Sequence, residues 1–161
     1  MCYYLNYFFL FSCIGHLIES FFYENGNSGI LFGYWTPIYG IGILIILIIF
    51  KMVNKINTKI YFKAILLFFI CSVLLSSIEV LGGYLIKLIF EKELWNYSNH
   101  IFSIGKYTSL EMSIIWGISS IIFAYILKPL SDKVVMIIPR ILTFILTILF
   151  IVDCVSTLIL K

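Results

Sequence analysis

The chain has 161 residues, of which 62% are apolar and 12% are charged, and its mean hydropathy is +1.10. Soluble domains usually carry about a quarter charged residues, so the composition excludes an ordinary soluble protein and indicates one integral membrane domain over residues 1–161. The formal charge of +3 comes without a basic cluster interleaved with exposed aromatic residues, so nucleic acid is not an expected partner, whereas membrane lipid is.

Five apolar runs are long enough to cross a bilayer, which takes about 20 residues of helix. They are Cys2–Tyr23, Pro37–Val53, Tyr61–Ile89, Ser109–Leu127 and Val134–Leu160. We therefore predict an all-α fold, a polytopic bundle of about five transmembrane helices.

The positive charges predict the orientation of these spans. The second connection, around Asn57, carries four lysines, and the fourth carries Lys128, Lys133 and Arg140, whereas the first, residues 24–36, carries no Lys or Arg. Cytoplasmic connections collect Lys and Arg. We expect the N-terminus inside, the C-terminus outside, and the first and third connections on the outer side of a cytoplasmic membrane.

The first outer connection leads into a glycine-broken stretch, Gly29–Gly42. Gly costs about 1 kcal/mol and Pro about 3 kcal/mol inside a helix, so we expect the backbone to break before Pro37 and a new helix to start there. Gly33 and Gly40 are expected to need a positive φ or a close backbone contact. Broken backbone at membrane depth persists only where protein or a water-filled cavity covers it. The stretch is therefore a candidate binding surface or buried plug.

The second outer connection, Glu91–Thr108, is aromatic. Trp95 and Tyr97 suit the level of the lipid headgroups, and we expect an interfacial loop or a short amphipathic helix. Two arrangements stay open: the two connections meet as an outer cap, or each only anchors its own spans.

Acidic residues lie inside the predicted spans, and the predicted topology puts all of them in the outer half of the membrane: Glu19, Glu79, Glu111 and Asp153. An ionised group near the bilayer centre costs roughly 3 kcal/mol on insertion scales. Clustered carboxylates share protons or a cation. A pocket under the outer cap, lined by these acids and by His16 one turn before Glu19, is the hypothesis that follows.

Each acid also has a structural interpretation. Thr108-x-x-Glu111 fits a capping box, and His16 suits an interhelical hydrogen bond. Glu79 is deep and adjoins Gly83, where close helix packing is expected and Ala is nearly as small as Gly. The residues around Asp153 do not predict a further role for it.

Motifs of enzymes and cofactor sites do not occur in the sequence. It has no phosphate-binding loop, no G-x-S-x-G, no H-E-x-x-H and no spacing of metal ligands. We expect no cofactor and no metal, and any dependence on ATP would need a second polypeptide.

A series of short motifs carries a family resemblance. They are Gly15-x-x-x-Glu19, Asn27-x-Gly29, Gly33-x-x-x-Pro37-Ile38-Tyr39-Gly40-x-Gly42, Glu79-x-x-x-Gly83, Trp95-x-Tyr97-Ser98, Gly105-Lys106, Ser113-x-x-Trp116-Gly117 and Lys128-Pro129-Leu130. In this order the chain resembles the small bacterial membrane proteins grouped as putative ABC-transporter permeases, sometimes labelled type IV. It departs from them at Phe32-Gly33-Tyr34, where the family shows Tyr-Gly-Pro, and at Asn96, where the family shows Asp.

The resemblance implies a permease-like or substrate-binding component of a transport system in the bacterial cytoplasmic membrane, working with a separate ATPase or other membrane subunit. The residues leave two alternatives open, an intramembrane enzyme acting on a lipid or lipid-linked substrate and a non-catalytic scaffold. The candidate binding residues are His16, Glu19, Trp35, Pro37, Tyr39, Glu79, Trp95, Tyr97 and Glu111. The candidate structural positions are Gly29, Gly33, Gly40, Gly42, Gly83, Lys106, Trp116 and Gly117.

Overall fold

A computed structural model describes residues 2–22 and 29–161, which form helices and the connections between them. The helices are α1 (Cys2–Phe22), α2 (Pro37–Asn54), α3 (Ile60–Phe90), α4 (Leu110–Ile122), a π-helical turn (Phe123–Leu127), α5 (Lys128–Ile137) and α6 (Arg140–Leu160).

The lengths and composition of these helices are those of membrane spans. In the described ranges, four stretches are long and apolar enough to cross a bilayer: Pro37–Asn54, Ile60–Phe90, Leu110–Ile137 and Arg140–Leu160. Helix α1 adds 21 residues, which is about the length a span needs. Large apolar side chains such as Phe69 and Ile148 are exposed on these helices, as a lipid-facing surface requires. The predicted all-α membrane fold is confirmed, and about five spans is consistent with it.

The last two spans are divided differently from the prediction. Helix continues through Pro129 to Ile137, so the predicted limits at Leu127 and Val134 are wrong. Proline clashes with the carbonyl four residues earlier, and the π-helical turn just before it widens the backbone: Lys128 N–H reaches Phe123 O, five residues back. The chain breaks instead at Pro139, the extended residue before α6.

The chain divides into two compact units, and the first comprises Met1–Leu44 and Leu130–Lys161. Helix α1 packs on α6 there. Polar contacts support this pairing, since Thr143 donates to Asn6 at 2.6 Å and Asn6 donates to the Val135 carbonyl at 3.1 Å. The hydroxyls of Tyr3 and Tyr7 donate to Asp132 at 2.6 and 2.8 Å.

The second unit, Ile45–Pro129, is centred on α3 and α4. Ser76 donates to Ser113 at 2.7 Å between these helices. Gly117 allows a close approach of the two helices, because an added Cβ would lie 2.6 Å from the ring of Phe68. That both units belong to a single domain stays a prediction.

Candidate functional site

The second unit holds a buried carboxylate, Glu79 on α3. Glu79 is only 4% exposed to solvent. Oε1 accepts a hydrogen bond from the Tyr97 hydroxyl at 3.1 Å, and Oε2 accepts from the Thr108 hydroxyl at 3.0 Å and from Nε1 of Trp116 at 3.3 Å. The carboxylate therefore ties α3 to α4 and to the connection between them.

That connection is ordered by its own backbone. Tyr97 N–H donates to the Lys106 carbonyl at 2.8 Å, and Ile104 N–H donates to the Thr108 carbonyl at 3.0 Å. Gly105, at φ +74°, makes the turn that brings these segments back together, since Gly adopts a positive φ without strain. Nε1 of Trp95 donates to the Tyr107 carbonyl at 3.2 Å. The aromatic residues thus hold Tyr97 and Thr108 in place beside Glu79, and of the two predicted conformations the loop is the one observed.

The donors to Glu79 are all neutral. The nearby lysines pair elsewhere: Nζ of Lys87 lies 3.0 Å and Nζ of Lys106 lies 2.5 Å from Oε1 of Glu93. In the part of the chain that the structure describes, Glu79 makes no salt bridge. A carboxylate offers about four acceptor positions, and three are filled. The site can therefore accept one further proton or positively charged group.

Glu111 does not share this site. Its side chain is 40% exposed and lies 4.0 Å from Nδ1 of His100. The predicted capping box with Thr108 is wrong, because the N-cap of α4 is Ser109, which accepts from the Met112 N–H at 3.2 Å. Thr108 and Ser109 are both suitable N-caps by residue type, but the Thr108 hydroxyl donates to Glu79 instead.

In the first unit a second carboxylate, Asp153 on α6, holds the glycine-broken stretch. It accepts from the N–H groups of Phe32 and Gly33 at 2.9 and 2.8 Å, and from Nε1 of Trp35 at 2.5 Å. Lys161 donates to the Ile30 carbonyl and lies 4.5 Å from the centre of the Phe32 ring. No pattern in the sequence predicted this clamp, in which Trp35 anchors the stretch to α6.

A histidine and a carboxylate face the same stretch from α1. His16 is 4% exposed, its ring lies 5.5 Å from that of Tyr34, and its Nδ1 has no hydrogen-bond partner among the described residues. One turn later, Glu19 accepts from the Thr36 hydroxyl at 3.4 Å. Tyr39 packs directly over Gly15, which leaves no room for a side chain there. Three of the predicted binding residues, His16, Glu19 and Tyr39, thus lie at one end of α1.

A sequence comparison decides the family. Residues 6–158 match the family described as putative ABC-transporter type IV. The chain belongs to this type IV family. No curated protein and no solved structure matches it.

The two places where the chain is expected to depart from the type IV pattern have clear geometry. Oδ1 of Asn96 accepts from the N–H and the hydroxyl of Ser98 at 2.9 and 2.6 Å. An Asp carboxylate would accept both bonds equally, so the turn at this position does not need the charge. Gly33, which precedes Tyr34 instead of Pro, lies against Asp153 and Trp35, and the clamp fixes the backbone there. Asn27 of the Asn27-x-Gly29 motif lies outside the described residues.

The predicted structural positions act through contact. Pro37 begins α2, as expected. Gly33 and Gly40 are not at positive φ, which among the described glycines is found only at Gly105, so the alternative of close contact applies to both. Gly83 meets the ring of Tyr107, whereas an added Cβ on Gly29 would make only ordinary contact, 3.8 Å from the Trp35 carbonyl oxygen. Gly42 is buried.

Among the residues that the structure describes, no group of three or more His, Cys, Asp or Glu side chains is placed to hold a metal ion. The sequence analysis did not identify Thr108 and Thr36 as partners of acids. Their hydroxyls donate to Glu79 and Glu19, respectively. Each precedes a predicted helix, where a hydroxyl suggests a cap rather than a partner for an acid on another helix.

Proposed function

We propose that this member of the type IV family is a permease-like or substrate-binding component of a transport system and that Glu79 is its ligand-binding group. The observation that carries the proposal is the carboxylate itself, which is buried, held by three neutral donors and without a salt bridge in the described ranges. An acid inside a span is costly and marks a functional site by default.

The chemistry follows from the filled and unfilled acceptor positions of Glu79. Tyr97, Thr108 and Trp116 orient the carboxylate and leave one position on Oε1. A proton or a positively charged ligand group suits that position, because it compensates the buried charge. The proposed substrate is therefore cationic or coupled to protons.

The energy source lies on another polypeptide. The chain contains no phosphate-binding loop, so a transport cycle driven by ATP needs a separate ATPase subunit. The lysine-rich connection around Asn57 is the proposed cytoplasmic surface, in a bacterial cytoplasmic membrane with the N-terminus inside and the C-terminus outside.

One contact favours a second candidate function, an intramembrane enzyme acting on a lipid-linked substrate. The Thr108 hydroxyl donates to Glu79, which is the geometry of a hydroxyl nucleophile and its general base. Two further donors to the same carboxylate weaken it as a base, so we rank this candidate second. A Thr108→Val variant separates the two: turnover of a lipid-linked substrate would stop, whereas binding at Oε1 would persist.

The proposal is tested with the full chain in lipid nanodiscs, as wild type, Glu79→Gln and Glu111→Gln. Gln keeps the shape of Glu79, and its amide can still accept from Trp116 and donate to the Tyr97 oxygen. Methylammonium and tetramethylammonium chloride serve as probes, with sodium chloride as the control for ionic strength. A bound ligand at a hundred times its Kd raises stability by about 2.7 kcal/mol.

We expect both cations to raise the thermal stability of wild type and of Glu111→Gln, and the rise to shrink in Glu79→Gln. An equal rise in Glu79→Gln and wild type would refute the role of Glu79. Purification from native membranes in mild detergent tests the partner. A stoichiometric ATPase supports the transport assignment, and a stable complex lacking one favours the scaffold interpretation.

A further inference from the structure

Helices α1 and α3 carry the same residue pattern. Helix α1 reads Phe8-Phe9-x-x-Ser12 and then Ile18-Glu19, and α3 reads Phe68-Phe69-x-x-Ser72 and then Ile78-Glu79. The spacing is identical throughout. The buried carboxylate of the second unit thus has a counterpart in the first, Glu19.

The following helices, α2 and α4, also correspond. Tyr39-Gly40-Ile41 in α2 matches Trp116-Gly117-Ile118 in α4, and each is followed by an uncharged run of the same length and then by a lysine, Lys51 or Lys128. Uncharged runs alone would match by chance. The aromatic–glycine pair and the terminal lysine fix the register.

The two helix pairs cross at the corresponding residues, although sequence alone does not require it. An added Cβ on Gly40 would lie 2.6 Å from Cδ2 of Phe8, and one on Gly117 would lie 2.6 Å from Cδ2 of Phe68. In each pair the atom nearest to the added Cβ is a serine Oγ, that of Ser12 or of Ser72. Both hydroxyls are buried without a conventional partner in the described residues, and contact with the glycine Cα–H group suits them.

The two glutamates have corresponding hydroxyl partners. Thr108 lies just before the N-cap of α4 and donates to Glu79 at 3.0 Å, and Thr36 lies just before α2 and donates to Glu19 at 3.4 Å. In each case the threonine at the end of the connection reaches the glutamate of the preceding helix.

We propose that the chain is an internal duplication of a two-helix repeat, α1–α2 and α3–α4, and that Glu19 with His16 forms a second ligand site, specific for an ammonium group that carries N–H donors. Transporters are commonly built from internal repeats, and a carboxylate–threonine pair in each repeat gives this chain two sites of related chemistry.

The two sites differ at the residue one helical turn before each glutamate, which is His16 before Glu19 and Ser76 before Glu79. The second repeat has Ser76 there, whose hydroxyl is used in its bond to Ser113. The first repeat has His16, buried and with Nδ1 unpartnered among the described residues. His16 and Glu19 lie on one helix face and both contact the stretch that contains Tyr34 and Thr36. A primary ammonium group pairs its charge with Glu19, donates an N–H to Nδ1 of His16, and lies beside the aromatic face of Tyr34.

The ligand class of the second site rests on the proposed function. The test distinguishes a failure of the second site from a failure of the proposed function. The full chain in nanodiscs is compared as wild type, Glu19→Gln, Glu79→Gln and the double variant, with thermal stability recorded against methylammonium and tetramethylammonium concentration. In Glu79→Gln only the first site remains. There we expect methylammonium to act at a concentration about tenfold lower than tetramethylammonium, which has no N–H, and His16→Leu to remove that preference.

Each outcome decides between the two claims. Residual stabilisation by methylammonium in Glu79→Gln that disappears in the double variant supports the second site. Stabilisation abolished by Glu79→Gln alone overturns the second site and leaves the proposed function standing. Stabilisation lost in Glu19→Gln but unchanged in Glu79→Gln overturns the role of Glu79 only, and no response in wild type overturns both. Stability without cations identifies any variant that has not folded.

Discussion

The indole N–H of Trp35 donates to Oδ2 of Asp153 at 2.5 Å, across 118 positions of sequence. With the N–H groups of Phe32 and Gly33 on the same carboxylate, it fastens the glycine-broken stretch to α6. The stretch is therefore held in a fixed conformation, and the side chains next to it, His16 and Glu19, face a rigid partner. A preorganised site binds with a smaller loss of conformational entropy.

The first prediction concerns this clamp. Asp153→Asn removes the charge and replaces one carboxylate oxygen with an amide N–H₂, which then faces either the Phe32 N–H or the donors of Gly33 and Trp35, so at least one bond is lost. Hydrogen bonds to charged groups contribute about 1.5–3 kcal/mol each, and we expect the free energy of unfolding in detergent to fall by about 2–4 kcal/mol. Thr147→Ala, which removes only a bond to the Thr143 carbonyl of its own helix, is the control and should cost less. Equal loss in both variants would show that the clamp does not stabilise the fold.

A second prediction corrects an expectation drawn from sequence. Ala was expected to fit at Gly83, but its Cβ would lie 2.5 Å from the ring of Tyr107, which is 1% exposed and has little room to move. Overpacking costs about 1–3 kcal/mol. We expect Gly83→Ala and Gly117→Ala to lower the unfolding midpoint clearly. Gly29→Ala, with no neighbour of its Cβ nearer than 3.8 Å, should leave it unchanged, and the measurement is thermal unfolding of the purified variants. A Gly83→Ala midpoint equal to that of Gly29→Ala would contradict the packing.

The sequence predicted the helices well because apolar runs of spanning length leave little choice of structure in a membrane. It located Glu79, since an acid within such a run is unusual. It could not identify the partners of the acids, because Asp153 bonds to Trp35 over a separation that no local pattern reports. The cap of α4 was misassigned for a related reason: Thr108 and Ser109 are equally good local caps, and only the tertiary bond to Glu79 distinguishes them.

The third prediction concerns pH. Hydrogen bonds from Lys106 and Lys87 hold the pKa of the Glu93 carboxyl below its ordinary value. A lowered folded-state pKa gives stability that is present above the unfolded pKa, about 4.3, and is lost as pH falls through the folded value. Wild type should therefore exceed Glu93→Gln in thermal stability at neutral pH, and the difference should shrink as pH falls below about 4.3.

The effect should also be small and should fall at high salt, because these groups are exposed and salt screens them. Glu91→Gln is the matched control, because Glu91 lies in the same connection and makes no side-chain bond in the described structure. Its difference from wild type should not vary with pH in the same way. A difference for Glu93→Gln that grows on acidification would contradict the direction of the pKa shift.

The last prediction tests orientation, on which the outer placement of both glutamate sites depends. Four lysines surround Asn57, whereas residues 24–36 contain no Lys or Arg, and positive charge stays in the cytoplasm. Both Asn57 and Tyr34 are exposed, Tyr34 to 81%, so protein burial does not limit labelling of either. In a background without the four native cysteines, Tyr34→Cys should react with a membrane-impermeant maleimide in intact cells and Asn57→Cys should not. Permeabilised cells, in which both should react, are the control. Labelling of Asn57→Cys alone in intact cells would reverse the topology and place Glu19 and Glu79 on the cytoplasmic side.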